Sequence, residues 1–215
     1  MGGISDEGIT AEEYIRYRKK RSKSLYVEDF ARARFGDGRG PSRVLEIGCG
    51  PGFAIKQMAA SNPECLIVGC DIDSALLAHA AAEIPAGGAS FLVRNESVSL
   101  PFADGAFDYI FSEGSFHHFD DPGKMVSEMK RVLKPGGGIF IADLDPGSAP
   151  ARFIIFVLRL ASALGVAGSG HQALLHSIRS AVPVKRIMEM YMEEGMLPRV
   201  RKMRASMILE TEKPF

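Results

Sequence analysis

Glu46-Ile47-Gly48-Cys49-Gly50-Pro51-Gly52 sets three glycines at alternating positions behind an acid. A second acid, Asp71, stands roughly 20 residues further on, at the end of another apolar run. Glycine has no Cβ, so the backbone can bend sharply there and a ligand can press against it. A helix starting just beyond would offer unpaired N–H groups to a small polar or anionic ligand. A carboxylate placed like Asp71 can accept hydrogen bonds from both hydroxyls of a ribose. The competing reading is a glycine turn that serves folding alone. Further on, a fourth apolar run ends in Ser112 and Glu113 and is followed by the pair His117-His118. His117 reads either as a substrate-side base or as a histidine tucked against the core.

The elements that must position these residues follow from period and punctuation. Val44, Leu45 and Ile47 lead into the glycine turn, and Phe53 to Ala60 is helix-tolerant, which predicts a strand, a tight turn and a helix. Cys65 to Asp71 predicts a second strand, with Asp73 capping a helix over Ser74 to Glu83. Ala89 to Arg94 and Phe107 to Ser112 predict strands three and four. Asp121-Pro122 opens a helix with Met125, Val126, Met129, Val132 and Leu133 inward, ended by Lys134-Pro135-Gly136-Gly137 before a fifth strand over Gly138 to Asp143. Ligands in such open sheets gather at the carboxyl ends of the strands.

The spacing rules out the dinucleotide pattern Gly-x-Gly-x-x-Gly, because the glycines fall at 48, 50 and 52 and position 53 is Phe. An acid before Gly-x-Gly-x-Gly resembles instead the first motif of the class I S-adenosylmethionine-dependent methyltransferases. Leu100-Pro101-Phe102 followed by Asp104-Gly105, and Arg131-Val-Leu-Lys-Pro-Gly-Gly137, resemble further motifs of that family. Residues from about 42 to 145 are similar to its core in motif order, nearest to the small-molecule group that includes quinone-biosynthesis C-methyltransferases. The resemblance implies an α/β three-layer sandwich with a mostly parallel seven-stranded sheet, its last strand antiparallel. Repeated strand and helix patterns lead to an α/β sandwich independently.

The resemblance also implies roles. The turn at Gly48, Cys49, Gly50 and Gly52, with Glu46, would hold the amino-acid portion of S-adenosyl-L-methionine, whose product is S-adenosyl-L-homocysteine. Asp71 would take the ribose, Ile72 one face of the adenine, and Glu96 with Ser97 its edge. Glu96 departs from the family's usual Asp by one methylene. Ser112 and Glu113 would border the methyl donor, and Tyr14 and Tyr17 on a leading helix could reach the cofactor. No Asn-Pro-Pro-Tyr-type tetrapeptide follows the fourth strand, which favours a small organic methyl acceptor over a nucleic-acid base. An RNA or protein methyltransferase, and a protein that binds the cofactor without turnover, are the alternatives.

At the ends the pattern is looser. Thr10-Ala11-Glu12-Glu13 is a capping box. The helical region after it carries Arg16, Arg18, Lys19, Lys20, Arg21 and Lys23, read as a solvated face in preference to a nucleic-acid or membrane patch. The cluster from Gly36 to Pro41 ends it, which divides the chain into an N-terminal helical cap over 1–41 and a cofactor-binding domain over 42–215. A helical insert occupies about 146–182. Within it, Phe153 to Leu158 and Leu160 to Val166 form an apolar helix interrupted by Arg152 and Arg159. That helix is too short to span a bilayer and reads as core, as a homodimer face over 150–166, or as a lid. Gly168-Ser169-Gly170 marks a joint, and Val184 to Glu194 another helix. The last stretch alternates, with Met203, Ala205, Met207 and Leu209 on one face, and predicts two antiparallel strands.

Lys plus Arg and Asp plus Glu balance at 26 each, so no overall field draws the chain to nucleic acid. Cys49, Cys65 and Cys70 have no paired-ligand spacing, which argues for buried free thiols over a disulfide or metal site. The start lacks a basic and apolar leader, and the expected location is cytoplasmic.

Overall fold

The computed structural model describes residues 9–19, 24–35, 43–84, 90–95, 98–166 and 169–215. The expectations for Lys20, Arg21, Lys23, the 36–41 cluster, Glu96, Ser97 and Gly168 lie outside them.

The capping box forms as written: Thr10 N–H donates to Glu13 Oε2 at 2.9 Å and Glu13 N–H to Thr10 Oγ1 at 3.2 Å. It starts α1 (Ala11–Lys19), and α2 (Leu25–Phe35) follows. The core then alternates strand and helix: β1 (Arg43–Ile47), α3 (Phe53–Ser61), β2 (Leu66–Asp71), α4 (Ser74–Glu83), β3 (Ser90–Arg94), β4 (Phe107–Glu113), α5 (Pro122–Val132) and β5 (Leu133–Leu144). A short 3-10 turn, Phe116–His118, separates β4 from α5. Helices α6 (Ala149–Ala163), α7 (Ser169–Ser180) and α8 (Val184–Glu193) precede the hairpin β6 (Arg199–Met203) and β7 (Ser206–Glu212).

The seven strands lie in the order β3-β2-β1-β4-β5-β7-β6, parallel from β3 to β5, with β7 antiparallel to both β5 and β6. The strand order reverses between β1 and β4, so the crevice at their carboxyl ends is where a ligand is expected. One face of the sheet packs on α5 and α8 through Met125, Met129, Ile187 and Tyr191. The other packs on α2 and α3, where Phe30 meets Phe111 and Phe140 at 5.3 and 5.6 Å between ring centroids.

Two boundaries differ from the sequence reading. β5 begins at Leu133, five residues before Gly138, because Leu133 pairs with Phe107 and Gly138 with Tyr109. A bulge absorbs the extra chain, so Pro135, Gly136 and Gly137 are strand irregularities and α5 already ends at Val132. In the final hairpin, Met203 pairs with Ser206 across a turn at Arg204 and Ala205, which interrupts the alternation. Met207, Ile208 and Leu209 are all buried, because β7 is an interior strand covered on both faces.

Candidate active site

The bend after β1 is held open by conformation and closed by its own hydrogen bonds. Gly48 has φ 73°, and a Cβ there would lie 2.3 Å from Ser115 Cβ. Gly52 has φ 78°, and a Cβ would lie 2.8 Å from Ala80 Cβ. Both positions therefore exclude a side chain twice over, by backbone and by space. The N–H groups of Gly48 and Cys49 donate to Cys70 O at 2.8 and 3.1 Å, that of Gly50 to Asp71 Oδ2 at 2.7 Å, and that of Gly52 to Cys49 O at 3.0 Å. Pro51 has none to give. The bend is thus a preformed wall whose own N–H groups are spent within it, and the N–H groups expected to face a ligand are those of α3, which begins beyond it.

Acids surround this wall. Asp71 accepts from Gly50 N–H and, through Oδ1, from Asp73 N–H at 2.9 Å. Burial nevertheless raises its pKa, against the lowering effect of those two N–H groups. Glu46, at the end of β1, is buried, and its carboxyl is held well above the usual carboxylate range. Burial is the largest cause and repulsion from Glu113 the next; Arg18 opposes, and Asp71 adds to the rise. Glu113, at the end of β4, accepts from Arg18 Nη2 at 3.3 Å. Glu46 Oε2 and Glu113 Oε2 are buried and accept no hydrogen bond among the described residues. Two adjacent strands therefore bring two orphaned carboxylate oxygens to one end of the sheet, with Arg18 beside them.

That arginine comes from α1, whose Tyr14 lies 3.8 Å from where a Gly50 Cβ would be. Tyr14 and Arg18 are four residues apart and share a face, whereas Tyr17 is 49% exposed. Burial weakens the Arg18 charge, but Tyr14, Glu113 and Glu46 more than offset it and hold its pKa above the ordinary value. The solvated-face reading of the basic run therefore misses Arg18; its spacing from Tyr14 is the signal that could have found it.

On the other side of the crevice, Ser112 is fully buried, and its Oγ lies 2.7 Å from that of Ser115, which donates to Ile47 O at 2.9 Å. This pair ties β4 to β1 beneath Gly48. His117 sits in the 3-10 turn, buried, with Nδ1 2.7 Å from Asp143 Oδ1 and its backbone N–H on Asp143 Oδ2 at 3.3 Å. Asp143, near the end of β5, was not singled out from sequence. A buried carboxylate on Nδ1 fixes the imidazole's orientation, as a base or a structural histidine both require.

Ile72 follows Asp71, its carbonyl taking Arg94 Nε at 3.3 Å. Cys49 and Cys70 are free and buried in this wall. Burial first, then nearby carboxylates, pushes the Cys49 thiol well up, and burial and Asp71 push Cys70 up to about 12, so neither is a thiolate nucleophile. The loop beyond the Glu96 region is pinned by Arg131. Its guanidinium donates to Leu100 O, Phe102 O and Asp104 Oδ1 at 2.8 to 2.9 Å while Glu128 holds it from below. The recognisable 131–137 stretch is structural in this sense.

Residues 45–141 match the family model described as a methyltransferase domain. A malonyl-[acyl-carrier protein] O-methyltransferase of Legionella pneumophila is 35% identical over 106 residues, covering 49% of this chain and 37% of that protein. A demethylmenaquinone methyltransferase of Thermus thermophilus is 29% identical over 119 residues, covering 55% and 54%. The chain thus spans about half or less of the length of these curated relatives. Among solved structures, the plantazolicin methyltransferase BamL, in complex with a triazolic desmethylPZN analog and SAH, superposes with a TM-score of 0.72 at 16% identity, covering 95% of this chain and 91% of that one. Residues 45–141 are thus similar to a methyltransferase domain, and the chain shares the fold of solved methyltransferases.

Proposed function

We propose that the chain transfers a methyl group from S-adenosyl-L-methionine to a small organic acceptor. The observation that carries this is the pair of orphaned buried oxygens on Glu46 and Glu113 beside the glycine wall. Buried carboxylates without partners are costly, and a ligand bearing positive charge relieves that cost. The cofactor's sulfonium and ammonium are cationic and its one carboxylate is anionic, which fits several acids and one arginine.

On this reading Glu46 and Glu113 receive the positive groups, Arg18 the carboxylate, and Asp71 the ribose, while Ile72 covers one face of the adenine. Glu96 and Ser97 take its edge, as their place in the motif implies. The chemistry the cofactor supplies is a methyl group already activated by sulfonium charge and open to in-line displacement. The chain's own task is then to bind, align and exclude water. His117, oriented by Asp143, takes a proton from acceptors that arrive protonated.

A small acceptor is also favoured by where the basic segments go. Arg18 is paired with Glu113, Arg201 with Asp29 at 2.8 Å and Lys202 with Asp145 at 3.5 Å, so these cations are already matched by acids. Calorimetry with S-adenosylmethionine and S-adenosylhomocysteine tests the binding, and labelled methyl transfer across a panel of phenols, quinols, amines and carboxylates tests turnover. Heat with neither ligand and an unmoved melting temperature would end the proposal; binding without any transfer would leave only a cofactor-binding protein.

A further inference from the structure

Helix α6 has two apolar sides. Ala151 and Leu158 face the protein and are buried. Phe153, Phe156, Val157, Leu160 and Leu164 fall at helical spacing on a stripe turned outward. Phe153 and Phe156 are 66% and 63% exposed, well beyond partial covering by the fold. Arg152 and Arg159, seven residues apart, lie along one edge of this stripe, and both are exposed.

The charge along the segment that carries the stripe is one-sided. Between Asp145 and Glu189 the chain contains no acid, while Arg152, Arg159, Arg179, Lys185 and Arg186 are all cationic, in a chain whose charges otherwise balance. Lys185 and Arg186 are matched by Glu189 and Glu193. Arg152, Arg159 and Arg179 form no ion pair among the described residues.

We infer that the outward face of α6 rests on the surface of an anionic lipid bilayer. An exposed stripe of Phe, Val and Leu edged by arginines is the pattern of a helix lying in the plane of a membrane interface. Its apolar side enters the acyl boundary and its guanidinium groups reach the lipid phosphates. Fifteen residues make a helix of about 22 Å, shorter than the hydrocarbon core, and no helix among the described residues is long and apolar enough to cross a membrane. A second copy is the weaker occupant. A two-fold contact would set this arginine-edged stripe against itself, and the 146–188 segment that carries it has no carboxylate to answer the arginines. The inference does not depend on methyl transfer, since the helix face is complete without a cofactor.

The full chain is sedimented with sucrose-loaded vesicles of phosphatidylcholine alone or with about 30% phosphatidylglycerol, at low and high salt. Binding is expected on the anionic vesicles, weakened by salt, and at least tenfold poorer on the neutral ones. Phe153→Glu with Phe156→Glu should reduce binding more than tenfold at an unchanged melting temperature. Arg152→Gln with Arg159→Gln should weaken binding to anionic vesicles about fivefold per charge and leave the neutral vesicles unaffected. Failure of the wild-type chain to bind either vesicle would overturn the inference. So would a concentration-dependent dimer, seen by sedimentation velocity, that the phenylalanine substitutions dissociate. Should the double Glu variant unfold, Phe156→Ser alone, which adds no charge, supplies the same comparison.

Discussion

Helices α1 and α6 invert what their compositions suggest. Polar, basic α1 turns Arg18 inward to Glu113, while apolar α6 turns Phe153 and Phe156 out to solvent. Each behaves according to what it meets. α1 lies over a wall of buried carboxylates that reward one inward cation, and α6 has already satisfied its inner side with Ala151 and Leu158. A helix's average polarity thus says little about which of its residues the site uses. The same contrast separates the two sides of the crevice: acids under α1 that keep two buried oxygens without a hydrogen bond among the described residues, and a candidate base already held by Asp143.

The contrast can be broken experimentally. The largest expected effect is at the candidate base. If His117 is the base, His117→Gln should lower kcat about 10²- to 10⁴-fold, change the pH–rate profile and leave cofactor affinity within about twofold; a lowered melting temperature with normal kcat would make it a core histidine. Next, Gly48→Ala should destabilise the fold by about 3 kcal/mol in urea titration, since it combines a left-handed φ with overlap on Ser115. Gly48→Ala with Ser115→Gly should recover part of that loss. Among the acids, Glu46→Gln should weaken S-adenosylmethionine about 10- to 100-fold and S-adenosylhomocysteine less, because the product lacks the sulfonium charge. The same variant should raise the melting temperature of the ligand-free chain by removing a buried acid.

A smaller, graded effect follows from pH. The folded chain holds the Glu46 proton more tightly than the unfolded chain does. That contribution to stability is complete at low pH and is lost as pH rises from the ordinary carboxylate range through Glu46's raised value. Binding of a cation favours the ionised form, so affinity should rise with pH over the same window, with proton release visible in calorimetry across buffers. Glu46→Gln should flatten both slopes. Least of all, Arg18→Met should weaken both ligands alike, about fivefold, since both carry the same carboxylate.

Much of the frame was legible because local signals agreed. The alternating glycines, apolar β1 and the Asp73 cap all point to one strand, bend and helix pattern, and the structure contains it. The start of β5 was not legible, because Pro135 and two glycines normally stop an element, whereas here a bulge against β4 carries them. Arg18 was hidden among like residues, since a run of charges does not by itself show which member turns inward and only the four-residue step from Tyr14 singles it out. Asp143 was hidden for a related reason: it reads as the last residue of a strand until β5 is placed beside the 3-10 turn. The exposure of α6 could not be read either, for an apolar sequence reports what avoids water and not what covers it.

Asp71 holds the Gly50 amide and is at the same time the expected ribose partner. On the proposed reading, a ligand drawing on that carboxylate would also pull on the bend expected to receive its far end, so that the two ends of one molecule would share a lever. Fragments carrying only the nucleoside or only the amino acid should accordingly bind with less than their proportionate share of the affinity of the whole.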